Sequence, residues 1–106
     1  MSSFDEREKG FETKFEHDLE TAFKVNARRN KLLGLWAAKQ LGLAGAAAED
    51  YARTVVMADM EKPGDDDVLQ KVLKDLTDKG VNVTQHRVRA EMDSLLPEAR
   101  KQITGK

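Results

Sequence analysis

Near the start of the chain Glu8, Glu12, Glu16 and Glu20 recur every fourth residue, and Phe4, Phe11 and Phe15 stand among them, seven and four apart. Wound into a helix at about 100° per residue, the three rings fall on one narrow stripe that Leu19 and Ala22 extend. The acid row, with Asp5, flanks that stripe on one side, and Arg7 and Lys14 flank it on the other. These residue types cannot perform a reaction in this arrangement. Three readings fit the pattern: a recognition arm, whose aromatic area enters a cleft while charges of both signs meet its walls; the frayed start of a core helix; and a membrane-surface helix, which the acidic polar face disfavours.

A second cluster, "ARRNK", carries Arg28, Arg29 and Lys31, with Trp36 further along. Cations of this kind bind phosphates and an indole can stack on a base, so an ADP- or ATP-sensing module is one reading. The other is a solvated face, or a contact for acidic helices of the same chain or for a partner. Gly42 and Gly45 lack the lysine and hydroxyl of a phosphate-binding loop. His17 and His86 are the only histidines and there is no cysteine, so neither a metal site nor a bound cofactor is expected. No Ser–His pairing signal is present, and the acids of "DDD", Asp65 to Asp67, are explained by the start of a helix. The chain reads as a non-enzyme.

The chain has 106 residues and a net charge of −1, with charge segregated along its length. Residues 1–20 hold seven acids and three bases, whereas 21–42 hold five bases and no acid. Surfaces of opposite sign fit a protein partner better than nucleic acid, which would ask for a basic domain overall. No apolar run is long enough to cross a bilayer, and the acidic start is unlike a secretory signal, so a cytoplasmic protein without membrane insertion is expected.

Four elements must position these clusters. The first helix is expected from Phe11 or earlier to Leu41, with Gly42 as its stop. A second spans about Ala46 to Met60, its core face running through Ala48, Tyr51, Ala52, Val55, Val56 and Met60. Pro63-Gly64 turns the chain, and Asp65 is expected to cap a third helix, Asp66 to Asp78, that buries Val68, Leu69, Val72, Leu73 and Leu76. Thr84 can cap a fourth, which should kink or break near Ser94 to Leu96 because Pro97 removes a backbone donor. The fold class is all-α: a four-helix bundle-like domain, residues 19–106, preceded by a mobile, partly disordered arm, residues 1–18.

The arm is separated by length and by charge. A helix from Ser3 to Leu41 is about 60 Å long at roughly 1.5 Å per residue, whereas a compact domain of this size spans roughly 33 Å. One end must project, and the thinly apolar N-terminal end is the candidate. Each like-charged i, i+4 glutamate pair costs an isolated helix roughly 0.2–0.5 kcal/mol, and Gly10 adds about 1 kcal/mol relative to alanine. Residues 1 to about 18 should therefore be largely unstructured alone and helical when bound. Ordering them costs about 1–2 kcal/mol of backbone entropy per residue, while each buried phenylalanine returns about 1.5–3 kcal/mol. Only a deep cleft with polar walls closes that gap.

The blocks "SFDEREKGFETKFEHD" and "ARRNKLLGLWAAKQLG", in this order, together with "YARTVVMADMEKPGDDDVLQKV", resemble the zeta subunit of the alpha-proteobacterial F-type ATP synthase, an inhibitor of ATP hydrolysis. The resemblance covers essentially the whole chain. It implies a four-helix bundle, monomeric when free, whose N-terminal segment, here about Met1 to Leu19, inserts at a catalytic alpha/beta interface of the ATPase head, with the central stalk as a second candidate contact. Phe4, Phe11 and Phe15 would then be the apolar anchors. Asp5, Glu8 and Glu12 would meet cations in the cleft, and Arg7 and Lys14 the opposite wall.

Overall fold

The structure, a computed structural model, describes the backbone of residues 3–105 and the side chains of 19–105. Its elements are α1 (Ser3–Gln40), α2 (Gly45–Glu61), α3 (Asp65–Asp78) and α4 (Gln85–Thr104), with no strand among the described residues. Each helix runs antiparallel to the one before it, and α4 returns along α1, placing Leu96, Arg100 and Thr104 beside Thr21, Ala22 and Val25. The long axis is 65 Å against 25 and 22 Å across, which is the projection that the length of α1 requires.

The helix ends follow from their residues. Gly42 and Gly80 take positive φ angles of 80° and 86°, which lets the chain fold back after α1 and α3. The amide of Leu43 then donates to the Ala38 carbonyl and that of Val81 to the Leu76 carbonyl, both at 2.9 Å. Thr84 caps α4, its Oγ1 accepting from the Arg87 amide at 3.1 Å. Two expectations are corrected. The cap of α3 is Gly64, not Asp65, because the Asp65 carboxylate is engaged elsewhere. Nor does Pro97 break α4: Pro97 and Asp93 both lie on the exposed side, where water can serve the carbonyl that the proline leaves without a donor.

Side chains of modest size form the core. Leu33 and Ala37 of α1 meet Val55 of α2, Val68, Leu69, Val72 and Leu76 of α3, and Val88 and Met92 of α4. Trp36, Tyr51, Leu73 and Leu95 close around them, partly buried. On α1 the first buried side chain among the described residues is Val25. Met60, expected on the core face of α2, is 57% exposed, because the helix has passed the end of the packed region by then.

The closest approach in the bundle is at Gly34. A Cβ there would sit 2.6 Å from the Ala52 Cα and 3.2 Å from a Val55 methyl, so α1 and α2 touch backbone to backbone. One residue before Ala52 on α2, the Tyr51 hydroxyl donates to Asp75 Oδ2 at 2.8 Å, and Lys71 Nζ donates to the same oxygen at 2.9 Å. Burial, the hydrogen bond to Asp75 and the Asp75 charge, in that order, raise the phenol pKa far above its ordinary 10.0.

Gly34→Ala separates packing from propensity. An exposed helical site would gain about 1 kcal/mol from the change, but here the α2 backbone must move, and a loss of about 1–3 kcal/mol is expected in urea unfolding. Tyr51 generates a second expectation. Its folded pKa lies above the unfolded value, so its contribution is full below pH 10.0 and is lost as pH rises beyond it, since only the unfolded phenol ionises there. Tyr51→Phe should cost about 1 kcal/mol at neutral pH, and the difference between variant and parent should shrink in the alkaline range.

Candidate partner-binding site

The first helix carries every residue singled out for recognition, and the fold divides them. Phe4, Asp5, Arg7, Glu8, Phe11, Glu12, Lys14 and Phe15 belong to the backbone of α1, but their side chains lie outside the described residues. The backbone of 3–18 is helical here, the conformation expected of the arm when bound.

The four residues of the second cluster do not share one surface. Arg29 is 3% exposed. Its terminal nitrogen donates to Asp65 Oδ1 at 2.6 Å, and its Nε donates to Asn30 Oδ1 at 2.9 Å. Asn30 is fully buried, and its Nδ2 has no protein partner. Arg29 thus ties α1 to the first residue of α3, which is why Asp65 does not cap its own helix. Trp36 packs on the core, with the Arg87 guanidinium 5.7 Å from its ring centroid. Arg28 and Lys31 instead line an open groove, in which Lys31 reaches Glu49 at 3.8 Å.

The groove measures about 320 Å³. Its apolar side is Phe23, Ala27, Val56 and Ile103, and its cations are Lys24, Arg28 and Lys31. A hollow of about 460 Å³ lies across Phe23, bounded also by Asn26, Met60 and the Pro63-Gly64 turn. Leu19, Phe23 and Met60 are 58%, 59% and 57% exposed, a high share for large apolar side chains. Periodicity does not show this patch: Phe23 is turned about 100° from Ala22 and so falls off the stripe, and Met60 continues the core face of α2. One signal was available, since the chain's fourth phenylalanine falls before the strongly apolar "LLGLWAA".

Among the described residues no cluster of three or more His, Cys, Asp or Glu could hold a metal ion, and no helix is long and apolar enough to cross a membrane. A family model for "ATPase inhibitor subunit zeta" matches residues 1–102. The chain belongs to that family. This zeta-family chain is also similar to a protein solved by solution NMR, with 46% identity and a TM-score of 0.69, over 78% of this chain and 94% of that one. No curated protein matches it. Membership supports an inhibitory, regulatory role, and the matched span includes the arm as well as the bundle.

The Arg29–Asp65 pair has an unequal burial that predicts an unequal response. Asp65 is 55% exposed and can rehydrate when Arg29 is replaced, whereas Arg29 cannot when Asp65 is lost. Asp65→Ala, which leaves a buried charge without its counter-ion, should therefore destabilise by about 3–5 kcal/mol, and Arg29→Met by about 1–3 kcal/mol, since it keeps the apolar stem but takes the donor from the buried Asn30 Oδ1. Chemical unfolding of the two variants and of the double variant measures this order.

Proposed function

We propose that this chain is a regulatory inhibitor of the F-type ATP synthase, acting through its N-terminal arm rather than through a pocket in the bundle. The observation that carries the reading is that α1 begins at Ser3 and is continuous to Gln40, yet has no buried side chain among the described residues before Val25. The helix extends N-terminally of the first buried side chain described, and the family match covers that stretch. Catalysis is not part of this function.

The mechanism follows from the arm's composition. Phe4, Phe11 and Phe15 enter a catalytic alpha/beta interface of the ATPase head as a helical stripe. Asp5, Glu8 and Glu12 find cationic groups on one wall, and Arg7 and Lys14 find acceptors on the other. Outside the cleft the glutamate row and Gly10 keep this helix marginal; inside it, desolvated aromatic area and neutralised acids favour it. A helix wedged between the two subunits blocks the rearrangement that each hydrolytic turnover needs. The target head faces the cytoplasm, where the inhibitor acts as a monomer.

Removing Met1 to His17 leaves every buried residue of the bundle in place. The truncated protein should keep its helical circular dichroism and its cooperative melt, yet lose inhibition of ATP hydrolysis by the purified head. Undiminished inhibition by the folded truncation would sink the arm mechanism.

A further inference from the structure

The groove and the hollow on either side of Phe23 are not accounted for by the arm. Both lie where α1 leaves the bundle: Phe23 lines the two of them, Leu19 precedes it by one turn, and Met60 closes the hollow. None of the seven residues lining the groove is acidic and three are basic, while the two acids of the hollow are engaged, Asp59 accepting from the Gly64 amide at 3.1 Å and Asp65 from Arg29 at 2.6 Å. The stretch 21–42 as a whole carries five bases and no acid. Two of the groove's cations have weak, exposed partners, Lys24 with Glu20 at 3.2 Å and Lys31 with Glu49 at 3.8 Å. Pairs of this kind contribute little and are readily exchanged. Arg28 has no carboxylate partner among the described residues.

Helix continuity fixes where this patch must go. From Phe15 to Phe23 is about 12 Å along an unbroken helix at roughly 1.5 Å per residue, with no loop between them. A cleft that accepts the arm through Phe15 therefore brings Leu19, Phe23 and Met60 to its mouth. We infer that this collar is a second docking surface for the ATPase head, and that its occupant is an acidic stretch of polypeptide on the cleft rim. Its carboxylates pair with Arg28 and Lys31, and an apolar side chain covers Phe23. The inference rests on the arm reading. It adds that the bundle is a binding element, not a passive handle. A nucleotide fits the patch less well, because Arg29 is held by Asp65 and Trp36 packs on the core beneath Arg87.

The test uses full-length variants titrated against the purified head in an ATP-hydrolysis assay. Phe23→Ala should raise the half-inhibitory concentration several-fold, and Arg28→Glu/Lys31→Glu by about tenfold or more with a flatter salt dependence, while saturating inhibitor still blocks hydrolysis fully. Phe23 is exposed, so the first variant should melt like the parent; it carries the test if the charge reversal disturbs the Lys31–Glu49 contact. Phe11→Ala/Phe15→Ala reads the arm separately. If that variant fails to inhibit while both collar variants act at the parent concentration, the arm reading stands and the collar is overturned. If it inhibits like the parent, the arm reading itself falls. Amide shifts at Arg28 to Lys31 on adding ADP, with unchanged inhibition by the collar variants, would assign the groove to a nucleotide and also overturn the proposal.

Discussion

The contact between Gly34 and Ala52 sets the geometry on which the rest of the bundle depends. With no side chain at 34, the α2 backbone comes within van der Waals reach of α1, and Val55 is pressed against the same turn. The two long helices then act as one ribbon, against whose face α3 and α4 lay their leucines and valines. A thin domain results, 25 by 22 Å across. Small residues at the centre are a requirement of this packing, and they explain how a chain with few aromatic residues still closes a core.

Electrostatics takes up the same axis. The basic stretch of α1 is divided by the helical turn: Arg29 points inward to hold the start of α3, while Arg28 and Lys31 face outward beside Phe23. Consecutive arginines thus have unrelated tasks. The buried pair is specific because the guanidinium has two acceptors, Asp65 and Asn30, and few other orientations would satisfy it inside the bundle. Since Arg29 reaches from α1 to α3, it also fixes the turn at Pro63-Gly64 and hence the wall of the hollow beside Met60.

Much of this architecture is written in local pattern. The period of Val68, Leu69, Val72 and Leu76 identifies α3 and its buried face, and the glycines after α1 and α3 mark their ends. What local pattern could not show are pairings between distant segments. Nothing around Asp65 reveals that its carboxylate belongs to Arg29, 36 residues earlier, so it reads as a helix cap. Likewise Met60 continues the apolar period of α2 faultlessly, and only the place where the neighbouring helices stop decides that it is exposed. Pro97 is read as a kink or a break because the rule for proline weighs the lost hydrogen bond; on the wet side of α4 that loss is small and the helix continues. Of the candidate site, the phenylalanine stripe and the acid row were visible from spacing alone. The collar was not, since it is made where three helices end near one another.

The distribution of phenylalanine joins these points. All four lie within the first 23 residues; Phe23, the one whose side chain is described, is exposed, and the described core is built from valine, leucine, alanine and methionine. A phenylalanine at 34 or 52 would force α1 and α2 apart, and Trp36 and Tyr51 are accommodated around the core rather than at that contact. Phenylalanine rings give the largest return per residue when a partner buries them. On the arm reading, the rings that precede Val25, the first buried side chain described on α1, are left for a partner to bury. The bundle can therefore remain folded whether or not the arm is engaged, and the arm keeps its apolar area for the partner. A core of small residues is in this sense the condition for an arm of large ones.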